Sequence, residues 1–117
     1  MLCEYPAFPT IPASDMARAR RFYEETLGLD AERVDPDGIV YRASSSVVFL
    51  YPSAYAGTNK ATAASFVVTD LPATVAELKA HGVRFEEYDL PDVKTDNGML
   101  RTPTGRAAWF KDSKATS

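Results

Sequence analysis

The order of apolar and polar positions along the chain predicts two helices set among short strands. Met16, Ala19, Phe22, Tyr23 and Leu27 recur at the spacing of one helix face, so residues 16–27 are predicted to be an amphipathic helix. Residues 71–80 are predicted to be a second. The same punctuation frames both. Ser14-Asp15 and Thr69-Asp70 place side-chain oxygens where the first N–H groups of a helix lack partners. Pro72 falls in the first turn, where its missing N–H is not needed. Gly28 and Gly82 follow the last turn, where glycine enters the left-handed conformation freely. Asp15 and Asp70 stand 55 residues apart, and Gly28 and Gly82 stand 54 apart. A unit this long present twice points to two copies of one supersecondary element in one domain. A stacked solenoid normally needs at least about three copies.

Alternating or continuous apolar runs supply the strands. In the first half these are residues 7–12, 31–35, 39–43 and 47–51, with a turn at Asp35-Pro36-Asp37-Gly38. Pro6, Pro9 and Pro12 cannot donate to a ladder, so the first strand is expected to be an edge, irregular, or paired on its other side. The second half repeats the plan with strands at 63–68, 83–88, 98–102 and 106–111, the last two joined at Thr102-Pro103-Thr104-Gly105. The segment from Pro52 to Thr62 is small and polar and reads as the linker. The expected organisation is one domain: module one over residues 5–52, linker over 53–62 and module two over 63–112. The fold class is α+β, with two βαβββ modules forming a cupped mixed sheet.

Composition narrows the function classes. The chain has 117 residues, 45% of them hydrophobic and 25% charged, ordinary values for a single globular domain. Its net charge is −3 and it has no basic stripe, so no nucleic-acid partner is expected. Arg18, Arg20 and Arg21 are balanced by Glu24 and Glu25 on one solvated helix face. The single cysteine, Cys3, forms no internal disulfide, and the expected location is the reducing cytoplasm. The opening Met-Leu-Cys-Glu-Tyr-Pro lacks the pattern of a signal peptide, and no run has the roughly 18 apolar residues of a membrane span.

Parity along the strands separates two sheet faces. Val48 and Leu50 point toward the helix layer. Phe8, Thr10, Phe49, Tyr51, Phe66, Trp109 and Lys111 fall on the other face. So much aromatic surface is expected to line a concavity or to bury against another chain. No Ser-His-Asp set, phosphate loop or dinucleotide fingerprint is present, and no catalytic residue is assigned. His81, the sole histidine, stands where a helix C-terminus favours a cation. Glu86, Glu87, Asp89 and Asp92 alternate in direction and read as a solvated edge.

Several stretches carry a family resemblance. They are Asp15-Met16 with Arg20-Arg21-Phe22-Tyr23 and Leu27-Gly28-Leu29, then Val67-Val68-Thr69-Asp70-Leu71, then residues 78–85, then Ala107-Ala108-Trp109-Phe110-Lys111-Asp112. In these the chain resembles the vicinal-oxygen-chelate superfamily, which includes glyoxalase I, bleomycin-resistance proteins, fosfomycin-resistance transferases and extradiol dioxygenases. The resemblance implies paired βαβββ modules around a half-open pocket. In the family's enzymes a divalent metal sits at its base on His, Glu or Asp. The matching positions here are Phe8, the neighbourhood of Phe49, and Ala64, while the fourth would lie beyond Ser117. None can ligate a metal, so no metal or other cofactor is expected. The family's usual closing motif and last strand are also missing after Asp112, which is expected to leave a sheet edge open.

The resulting expectation is a metal-free binding protein of the bleomycin-resistance type. It would sequester a partly aromatic small molecule against Phe8, Thr10, Phe49, Tyr51, Phe66, Trp109 and Lys111, as a homodimer with no membrane partner. Two alternatives stay open at this point. One is a metal-dependent lyase, isomerase or dioxygenase with other ligands, such as Glu4, Asp96 or His81. The other is an accessory protein without a ligand.

Overall fold

The computed structural model describes residues 1–58, 61–90, 93–103 and 105–112. A single 3-10 turn, Leu2–Glu4, precedes β1 (Thr10–Ala13) and α1 (Met16–Arg20), and a π-helical segment, Arg21–Thr26, continues α1. Then come β2 (Asp30–Asp35), β3 (Gly38–Ala43) and β4 (Ser46–Pro52). The second half holds α2 (Leu71–Ala80), β5 (Met99–Thr102) and β6 (Gly105–Ala108).

The first half forms one mixed sheet in the order β1-β4-β3-β2, with β1 parallel to β4 and the other pairs antiparallel. β1 is an edge strand, which is how a proline-rich strand enters a sheet. It needs hydrogen bonds on one side only, and the Pro9 carbonyl still accepts from Phe49 N at 2.9 Å. The ladder starts at Thr10, three residues later than the pattern suggested, because Pro9 has no N–H to contribute. The sheet covers its helix side with Ile11, Ala13, Ile39, Tyr41, Val48 and Leu50, packed against Ala19 and Tyr23 of the helix layer. Tyr41 and Leu50 are fully enclosed.

Both helix starts use the aspartates of the repeated motif. Asp15 accepts from Arg18 N at 3.0 Å and Asp70 from Ala73 N at 3.1 Å. Gly28 and Gly82 close the helices with φ of 74° and 93°, a region that side chains disfavour. The first copy has one residue more than the second between aspartate and glycine. The π-helical segment absorbs it: Leu27 N bonds back to Phe22 O at 2.9 Å, one residue further than an α-helical turn reaches.

The second half departs from the expected repeat. Residues 63–68 form no ladder, and Phe66, Val67 and Val68 face solvent. The segment 83–88 makes only an isolated bridge between Phe85 and Phe110, with Glu86 N bonded to Trp109 O at 2.8 Å. β5 and β6 pair as a two-stranded sheet around the expected turn, and β6 stops at Ala108. A strand is a pairing state rather than a property of one segment. Residues 63–68 have strand chemistry, and Ala64 packs against the core, but the segment enters no ladder.

Candidate functional site

The sheet face opposite α1 is built row by row from the register. Thr10, Phe49 and Val40 align across β1, β4 and β3, and Pro12 aligns with Tyr51. Alternation places Phe49 and Tyr51 on this face because Val48 and Leu50 are buried on the other. The two rings are 6.3 Å apart and 6° from parallel. Phe49 lies directly over Gly38, where an added Cβ would stand 2.6 Å from ring atom Cζ. The absent side chain of Gly38 is what lets the Phe49 ring approach the start of β3 this closely. Thr10 is the exposed polar neighbour in the same row, and Phe8, 50% exposed, stands just before β1.

The other expected site residues lie elsewhere. Phe66 is 46% exposed in the unpaired segment. Trp109 meets Tyr88 edge-on at 5.8 Å, a partner that sequence parity did not single out. Lys111 pairs with Glu86 at 3.1 Å and lines a separate cleft with Phe22. The ladder ends at Ala108, so strict alternation no longer governs where Trp109 and Lys111 point. Phe110 instead packs on Phe85 and Phe22, at 5.7 and 6.3 Å. A concavity of about 420 Å³ lies not at Phe49 but beside residues 68–72 and Arg106.

A metal does not fit this face. Around Phe8, Thr10, Phe49 and Tyr51 it offers hydrocarbon, phenol and hydroxyl groups; the register adds Arg33, Arg42 and Asp35 to the same face, with the Asp35 and Glu32 carboxylates held by these arginines at 2.7 Å, whereas hard or borderline divalent ions need several converging carboxylate or imidazole donors. Among the described residues, no three His, Cys, Asp or Glu side chains gather where they could hold an ion. Glu4 bonds the chain's own amino terminus at 2.7 Å, and His81 caps α2 through its bond to the Glu77 carbonyl.

The titratable cluster lies on the helix side and is structural. Arg20 Nε bonds Glu24 at 2.7 Å, and the Tyr41 hydroxyl donates to the same carboxylate at 2.8 Å. The hydrogen bond from Arg20 holds the Glu24 carboxyl below its ordinary value. Burial pushes the Tyr41 and Tyr23 phenols up, with a further push from the Glu24 and Asp112 carboxylates. Tyr23 donates to Asp112 at 2.9 Å, tying the end of the second half to the first helix. Both phenols stay protonated at neutral pH and serve as donors, not bases.

The comparisons with known proteins agree with this architecture. A sequence profile described as the Glyoxalase/Bleomycin resistance protein/Dioxygenase superfamily matches residues 7–112. No curated protein sequence matches the chain. Among solved structures, UcmS2 is similar with a TM-score of 0.75 at 17% identity, over 95% of this chain and 92% of that one. The bleomycin resistance determinant encoded on transposon Tn5 is similar with a TM-score of 0.70 at 16% identity, over 95% and 91%. A superfamily member from Sphaerobacter thermophilus DSM 20745 is similar with a TM-score of 0.65 at 24% identity, over 93% and 89%. At these identities the likeness is one of fold.

Proposed function

The chain belongs to the Glyoxalase/Bleomycin resistance protein/Dioxygenase superfamily, and from that premise we propose that it is a metal-free binder of a partly aromatic small molecule. The observation that carries this reading is the parallel Phe49–Tyr51 pair on the open sheet face, where no three possible metal donors gather among the described residues. Flat, parallel rings offer a planar ligand a stacking surface that is already ordered, so little entropy is lost on binding. Thr10 supplies the polar atom nearest this pair in the register. In this proposal Phe8, Thr10, Phe49 and Tyr51 form the stacking surface, Phe66 and Trp109 join it only once the face is closed into a cup, and Lys111, paired with Glu86, belongs to the separate cleft.

Closure is assigned to a homodimer. One chain exposes 8540 Å², against about 6,300 Å² expected for a compact monomer of this size. Its radius of gyration is 15.1 Å, against about 13.4 Å. The excess exceeds the roughly 800 Å² that each partner buries in an ordinary interface. The two modules, residues 5–52 and 63–112, are then the units that complete each other within or between chains.

The test is a thermal-shift screen of planar aromatic compounds, followed by fluorescence titration of the hits. Phe49→Ala is expected to weaken binding about tenfold, the loss of one stacked ring and its area. Unchanged affinity for every hit would remove the reading.

A further inference from the structure

A second cleft, of about 140 Å³, lies between the end of the π-helical segment, the end of α2 and Lys111. Three stretches far apart in the chain meet there: Phe22 and Thr26, residues 81–84, and Lys111. Its lining carries His81, Arg84 and Lys111, the Thr26 hydroxyl and no acidic side chain, although the whole chain has a net charge of −3. Lys111 is held on one side by Glu86 at 3.1 Å. Arg84 has no hydrogen-bond or ion-pair partner among the described residues. The His81 Nδ1–H is directed to the Glu77 carbonyl at 2.9 Å, which orients the ring and leaves Nε2 as its remaining polar atom. Phe22 and Val83 complete an apolar wall.

The volume equals four or five water molecules at about 30 Å³ each, far below the roughly 300 Å³ of a drug-sized site. We infer that this cleft binds a compact oxyanion of the size and charge of phosphate. The guanidinium of Arg84 offers a two-pronged donor, Lys111 a point charge, and Thr26 a hydroxyl. The competing role for these cations is to balance the carbonyl ends of the two helical segments that stop beside them. That role needs no ligand, and the two predict different titrations.

His81 is the only histidine, so its ring resonances report on the cleft alone. Inorganic phosphate is titrated into the full chain at constant pH, with ionic strength held constant by sodium chloride. The expected result is a saturating shift of the His81 ring signals. It is expected to be weakened about tenfold in Arg84→Gln and again in Lys111→Gln, with unchanged circular dichroism. Phe49→Ala is expected to leave this titration as it was, which separates the site from the aromatic face. A shift linear in phosphate and reproduced by chloride, or one indifferent to Arg84→Gln, overturns the inference in favour of simple balancing of the helix ends.

Discussion

Gly38 matters for what it leaves out. A Cβ there would stand 2.5 Å from the Leu50 carbonyl oxygen, a backbone atom of the β3–β4 ladder, and 2.6 Å from the Phe49 ring. Moving the Phe49 ring would not relieve the contact with the carbonyl, so the start of β3 must also shift against β4, at the expense of the pairing of Ile39 with Leu50. Gly38→Ala is therefore expected to lower stability by about 1–3 kcal/mol in urea unfolding, and to disturb the Phe49–Tyr51 stack as well. Glu24 yields a pH-dependent expectation. Its folded carboxyl titrates below the ordinary 4.5 because Arg20 and Tyr41 bond its charged form. Such a group contributes stability that is complete above the unfolded value and is lost as pH falls through the folded one. Glu24→Gln is thus expected to be less stable near neutrality and to show a flatter acid limb below about pH 4.5. Parallel acid limbs in the two proteins would contradict it.

At the scale of elements, the two helix frames were legible because capping is local chemistry. Asp15 and Asp70 act within three residues of themselves, so no distant contact is needed to place them. Asp15→Ala and Asp70→Ala are each expected to cost about 1 kcal/mol in urea unfolding, with most of it restored by asparagine at the same position. The π-helical turn is a different case. The extra residue in the first copy was visible, but an insertion can bulge in a loop or inside the helix. The packing of Ala19 and Tyr23 against the sheet requires the helix to keep both its start and its end. The expected strand at 63–68 is the converse case: its pattern is right, yet it enters no ladder, because pairing needs an edge that a local pattern does not supply.

For the molecule as a whole, the surplus of exposed surface sets the expectation. Phe66 and Val67 stand in solvent beside the concavity formed by residues 68–72 and Arg106. Large apolar side chains grouped on an unpaired strand mark an association surface. Sedimentation velocity is expected to find a dimer at micromolar concentration, and Val67→Asp is expected to shift it to monomer. A monomeric wild-type chain over the same range would count against closure of the aromatic face by a second copy. The ion pairs Arg42–Glu32 and Arg33–Asp35 are solvent-exposed and contribute little to either state.

Elements whose causes are short-ranged can be read from the residue order alone. These are the two capped helices with their terminal glycines, the first-half strands, and the face on which Phe49 and Tyr51 stand, since alternation is a property of the strand itself. Phe8, Phe49 and Ala64 carry no metal-ligating side-chain atom in any fold, since side-chain chemistry is fixed by residue type. Which segments find partners is settled in the folded chain. Residues 63–68 remain unpaired, Trp109 turns to Tyr88 once the β6 ladder has stopped, and Lys111 joins Glu86 beside Arg84 and His81. Those outcomes depend on edges and neighbours dozens of residues away, and no local period encodes them.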